Sequence, residues 1–147
     1  MSAKAKTVCM ILMGDLMYDG RVRKESLSLA HNGYKVTVIT MPKAPERLEG
    51  LDPVRVKQTL LVTRRLARQA SGLAIKYGEF VARAAAQAIA QPASVYHAHD
   101  LPALLPAYIA ARAKRAHLVY DAHELWTEQG TPHSDTRYWR RLERWLL

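Results

Sequence analysis

Two short phrases constrain this chain most: Val95-Tyr96-His97-Ala98-His99-Asp100 and Val119-Tyr120-Asp121-Ala122-His123-Glu124. Each is a run of strand-forming residues that ends on a histidine followed by a carboxylate. Between them, Leu101 to Arg115 reads as a helix. Two strands joined by a helical crossover run parallel, so their ends lie side by side on one edge of the sheet. In open α/β sheets that carboxyl edge is where ligands bind. The sequence therefore places His99, Asp100, His123 and Glu124 along one rim.

The remaining segments extend the same alternation. Thr7 to Met13 is a fully apolar run, as expected of a buried parallel strand. A turn-rich loop, Gly14 to Gly20, leads into a helix from Arg21 to His31 with Val22, Leu27, Leu29 and Ala30 inward; Asn32-Gly33 closes it. Tyr34 to Thr40 is a second strand, and Val54 to Val62 carries a weaker third signal. Arg64 to Ala90 is helical by period, with Leu66, Ala70, Leu73, Tyr77, Phe80 or Val81, Ala84 and Ala88 on one side and a possible break at Gly72 or Gly78. Pro102 is tolerated in the first turn of the next helix, and Pro106 is expected to tighten or bend it. A last amphipathic helix starts near Thr136, with Tyr138, Leu142, Trp145 and Leu146 on one side. The expected fold is α/β: a doubly wound parallel sheet in three α/β/α layers, strand order 3-2-1-4-5. In that order the winding reverses between the first and fourth strands. A crevice then opens between the Gly14 loop and His99-Asp100.

Bulk properties narrow the class. The 147 residues suffice for one domain with a real core, and 49% apolar with 24% charged is ordinary for a globular protein. The single Cys9 lies in an apolar run and excludes an internal disulfide framework. The apolar stretch Val8 to Met13 is too short for a secretory signal, and no run approaches the ~20 apolar residues that span a bilayer. A cytoplasmic location is expected. The net charge of +9 is unusual and fits phosphate-bearing ligands, an anionic membrane surface or nucleic acid. No recognition-helix or RNA-platform signature accompanies the charge, so nucleic acid is not an expected partner. Because the chain stops inside an amphipathic helix without a cap, a truncated chain or a half-protein with a partner is expected.

The motifs allow more than one chemistry. Gly14-Asp15 after the first strand lets a phosphate approach backbone N–H groups, or it is simply a tight turn. The dinucleotide fingerprint G-x-G-x-x-G is absent. His97 and His99 share a strand face. His97 reads as a hydrogen-bonded core histidine, His99 as a ligand contact, and Asp100 as the cap of the helix at Leu101. Asp121 and His123 share a face, with Glu124 opposite. These histidines and carboxylates admit a metal reading, but no further ligands complete a dense set, so no metal is expected. Arg64, Arg65, Arg68, Lys76 and Arg83, with Glu79 the only acidic residue among them, form a solvated basic face or a surface for an anionic bilayer.

Together these residues resemble a known family. Asp19-Gly20-Arg21-Val22-Arg23-Lys24-Glu25, then Ser28-Leu29-Ala30 and Gly33-Tyr34-Lys35-Val36-Thr37-Val38-Ile39, are similar to the first β-α-β unit of a GT-B glycosyltransferase of the retaining family 4 group. Tyr96 to Pro102 and Tyr120 to Leu125 carry the same resemblance. It implies two Rossmann-like domains facing a cleft, of which residues 1–147 would be the N-terminal, acceptor-side one, without the C-terminal donor-binding domain and its E-x7-E motif. It implies that Gly14 faces the donor diphosphate, that His99 is catalytic by contact with the transferred sugar, and that Asp15, Arg21, His123 and Glu124 line the donor and acceptor site. The familiar double glycine after the first strand is replaced by Gly14-Asp15.

The expected function is transfer of a hexosyl group from a nucleotide-sugar to a cell-surface polysaccharide or glycolipid. This chain alone would be inactive and peripheral at the inner membrane face. The nucleotide-sugar is a co-substrate, and no cofactor is expected. The alternatives are a membrane-recruiting subunit of a split transferase, or a metal-dependent hydrolase using His97, His99, Asp100 and His123.

Overall fold

The computed structural model describes residues 6–42, 44–45, 48–65, 70–122, 141 and 144–146. Its elements are β1 (Thr7–Leu12), α1 (Gly20–His31), β2 (Lys35–Thr40), β3 (Arg55–Gln58), a 3-10 turn (Val62–Arg65), α2 (Ala70–Ile89), β4 (Val95–His99), α3 (Leu101–Lys114) and β5 (His117–Asp121). They form one five-stranded sheet of order β3-β2-β1-β4-β5, and every neighbouring pair is parallel. This is the Rossmann-like arrangement expected from the alternation.

Period-2 alternation in the strands divides the core in two. Val8, Met10 and Leu12 of β1 and Val36 and Val38 of β2 pack with Val22 of α1 on one face. Cys9, Ile11, Ile39, Tyr96 and Ala98 face the other way, against Phe80, Ala84 and Ala88 of α2 and Leu104, Ala107 and Ala110 of α3. The alanines let α2 and α3 approach closely. Burial pushes the Cys9 thiol up to about 12, so it remains an inert apolar side chain.

Helix ends show how the sequence stops each element. Asp19 Oδ1 accepts from the N–H groups of Arg21 and Val22 at 3.1 Å each, capping α1. After α1, Gly33 takes φ +85°, where a glycine carries no steric cost. At the end of α2 the buried Tyr96 hydroxyl donates to the carbonyls of Ala88 (3.2 Å) and Gln91 (3.4 Å).

Several boundaries differ from the sequence reading. The third strand is only Arg55–Gln58, because a polar edge strand has little apolar surface to extend it. The predicted helix over 64–90 is a 3-10 turn followed by α2 from Ala70, and α2 runs unbroken through Gly72 and Gly78. Glu79 ties the two together. Its carboxylate accepts from the Val62 and Thr63 N–H groups and the Thr63 hydroxyl, which lowers its pKa to about 2, and it pairs with Arg83 at 2.7 Å. Leu73, predicted inward, is 44% exposed. Leu66, Arg68, Tyr138 and Leu142 lie outside the described residues. In the last helix, Leu146 is buried and Trp145 is exposed, its ring 6.1 Å from that of Tyr108.

Pro106 sits inside α3 and is buried. It has no N–H to give to the carbonyl of Pro102, the residue four before it. The Tyr77 hydroxyl of α2 donates to that carbonyl instead, at 3.2 Å. Tyr77→Phe should therefore cost about 1 kcal/mol of stability. In a Pro106→Ala background, where the backbone donor returns, that cost should fall towards zero. Urea denaturation of the double-mutant cycle checks this, and strictly additive costs would contradict it.

Candidate functional site

The site is built from the carboxyl ends of β1 and β4. Register pairs Leu12 with Thr40 on one side and with His99 on the other, and His99 with Asp121. Thr40, Leu12, His99 and Asp121 thus form one cross-sheet row on the α1 face. Behind it runs the row Val38, Met10, His97 and Val119.

Beyond the first row the chain opens into a cleft of about 1410 Å³, whose walls include Gly14, Asp15, Tyr18, Arg21, Lys24 and Asp100. Of the crevice expected between the Gly14 loop and His99-Asp100, the cleft contains the Gly14 loop and Asp100 but not His99, and Met41, Ala44 and Pro45 after β2 line its other side. The Gly14 carbonyl accepts from the Met41 N–H at 3.1 Å and from the buried Thr40 hydroxyl, anchoring the loop to the end of β2. The Asp15 carbonyl then accepts from the Tyr18 and Asp19 N–H groups at 3.2 Å each, which turns the chain into α1. A Cβ built on Gly14 would meet only Leu12, at 4.0 Å. Packing leaves room for a side chain there.

Asp19 changes the electrostatics of this end. Its carboxylate already occupies the first N–H groups of α1, so the helix N-terminus offers an anion less than an uncapped one would. The positive charges in the cleft wall are instead the side chains of Arg21 and Lys24.

Asp100 does not cap α3 with its side chain, contrary to expectation. Its backbone lies at φ +62°, ψ 165°, a region open almost to glycine alone. The conformation is held by its N–H donating to the Asp121 carbonyl at 2.9 Å and its carbonyl accepting from Ala103 at 3.1 Å. Asp100 forms part of the cleft wall.

The histidines lie lower. His97 and His99 share the α1 face as predicted, with rings 4.2 Å apart between centroids and tilted by 33°. His99 is 1% exposed and does not line the cleft. His97 Nδ1 lies 3.3 Å from Glu25 Oε1 of α1. Ligating atoms of Glu25, His97, His99 and Asp121 all fall within 4.8 Å of one another. This group is the metal-competent set among the described residues. Glu25 is the member that the sequence reading passes over, although it lies one turn from the inward Val22. The structure thus brings Gly14, Asp15 and Arg21 together in the cleft and puts His99 beneath it, while His123 and Glu124 lie outside the described residues.

Comparison with known proteins agrees with this architecture. The family profile described as "Glycosyl transferase 4-like domain" matches residues 21–147. The crystal structure of TcCGT1 in complex with UDP matches with a TM-score of 0.64 at 8% identity. The match covers 81% of this chain and 28% of that one, so this chain spans less than a third of its length, and the likeness shows the fold alone. No curated protein matches the sequence.

If the Asp100 backbone is strained, Asp100→Gly should be more stable than Asp100→Ala by about 1–2 kcal/mol. Both variants lack the carboxylate, so their difference in thermal or urea denaturation isolates the backbone. Equal stabilities would contradict the strain.

Proposed function

The chain belongs to the glycosyl transferase 4-like family, and from that premise we propose that it is the acceptor-side domain of a GT-B glycosyltransferase. The reaction is transfer of a hexosyl group from a nucleotide-sugar to a cell-surface polysaccharide or lipid-linked saccharide. The observation that carries this reading is the cleft at the β1/β4 switch point, lined by Gly14, Asp15, Arg21, Lys24 and Asp100. A UDP complex of a protein with the same fold supports a nucleotide-sugar donor. The donor would be held mainly by a second domain facing this cleft, and this chain alone would give no transfer.

The residues suit that chemistry. Sugar transfer needs its leaving diphosphate neutralised and its sugar hydroxyls oriented. Gly14 presents backbone without a side chain to a close-approaching phosphate, and Arg21 and Lys24 supply positive charge. Asp15 and Asp100 accept hydrogen bonds from sugar hydroxyls. His99 is the proposed contact to the transferred sugar; it lies buried beneath the cleft, so this contact requires the floor beside Asp100 to open when ligand binds. His123 and Glu124, following β5, would extend the same rim. The transfer itself uses no cofactor.

No helix among the described residues is long and apolar enough to cross a membrane. The basic positions near the start of α2 would favour an anionic surface at the inner face of a membrane, where lipid-linked acceptors are found. A hydrolase working through His97, His99, Asp100 and His123 would need the same opening of the cleft floor, and the family match favours the transferase.

Equilibrium binding of radiolabelled nucleotide-sugars and lipid-diphosphate saccharides to the chain tests the proposal. Arg21→Ala should weaken binding of the anionic ligand about tenfold, the loss of one charge-assisted contact, and should flatten its salt dependence. Unchanged affinity in Arg21→Ala would remove the cleft from the reading. Hydrolytic turnover by the wild type that a chelator abolishes would favour the hydrolase.

A further inference from the structure

Below the cleft floor, three elements send four donor groups to one place. Glu25 comes from α1, His97 and His99 from β4, and Asp121 from β5. We propose that these four side chains bind a single divalent transition-metal ion, with zinc the best match. The proposal goes beyond the transferase reading and stands without it.

The spacing matches shared coordination of one ion. A charge-assisted N–H···O bond is about 2.7–2.9 Å long. His97 Nδ1 and Glu25 Oε1 are 3.3 Å apart. Two ligands on a tetrahedral ion, each about 2.0–2.1 Å from it, lie roughly 3.3–3.4 Å from one another. The His-x-His spacing on a strand sets both imidazoles side by side on one face, and both are buried, at 7% and 1% exposure.

Charge is compatible with an ion as well. The Glu25 and Asp121 carboxylates lie within 4.8 Å of each other and of the two imidazoles. With neutral imidazoles, one divalent ion balances the set. Two nitrogens and two oxygens suit zinc better than magnesium or calcium, which prefer oxygen alone. The buried Cys9 thiol lies on the opposite face of the sheet, so no soft ligand is offered.

Such an ion would not be the Lewis acid of a reaction in the cleft, since none of its four ligands lines that cleft. It would join α1, which carries Arg21 and Lys24 on its cleft-facing end, to the ends of β4 and β5. Bound to one ring nitrogen of His99, it would fix the tautomer of that imidazole.

The test uses the full 147-residue chain, stripped with a chelator, dialysed, and titrated with Zn2+ and separately with Co2+. The expected result is one equivalent bound per chain, with the intense visible absorption of tetrahedral Co2+. Glu25→Gln and Asp121→Asn should each weaken binding on the order of tenfold or more, and His99→Asn should abolish it. Far-UV circular dichroism establishes which variants fold; if His99→Asn does not, the two near-isosteric carboxylate variants decide. Two results would overturn the proposal: no stoichiometric binding by wild type, as expected if protonated histidines hold the carboxylates, or equal binding by the folded variants.

Discussion

The backbone ladder between β1 and β4 is the interaction on which the site depends. It pairs Leu12 with His99 and Met10 with His97, and so sets the depth of both histidines relative to the Gly14 loop. Side chains alternate with a period of two, so a slip of one residue would send His97 and His99 towards α2 and α3 and bring Tyr96 and Ala98 to the α1 face. The apolar composition of both faces prevents this: Tyr96 fits only where its hydroxyl reaches the end of α2. Core packing on one face thereby fixes the chemistry on the other.

Helix α1 is the second organiser. Its first turn, capped by Asp19, places Arg21 and Lys24 in the cleft wall. One turn deeper, Glu25 reaches His97 while the small, fully buried Ser26 lets the helix lie close to the sheet. Ser26 meets its own hydrogen-bonding need on the Arg23 carbonyl at 2.9 Å. Cleft charge and buried cluster are therefore carried by one rigid element. This couples the geometry of any ligand in the cleft to whatever occupies the donors below it.

Much of this was legible in the residues. A continuous apolar run identified β1, and the strand-helix-strand phrase around Leu101 identified the parallel pair and the rim. The strand order followed from the alternation of elements. What escaped has physical causes. Glu25 stands among Arg21, Arg23 and Lys24, where a single carboxylate reads as part of a solvated charged face; only the spacing from Val22 hints otherwise. The strained backbone of Asp100 leaves no mark on the sequence, because the residue there is not glycine. Asp19 and Asp100 both precede helices, and only backbone geometry reveals that the first caps and the second does not. Periodicity within α2 also marks Leu73 as inward, although it is 44% exposed.

The central claim is that the β1/β4 cleft, rather than the basic segment over residues 64–83, receives the sugar-bearing ligand. Mapping backbone amide chemical shifts of the isotopically labelled chain during titration with a nucleotide-sugar and a lipid-diphosphate saccharide tests it directly. The account predicts that the largest shifts fall on Gly14, Asp15, Arg21 and Asp100. Shifts confined to α2, or none at saturating ligand, would contradict it.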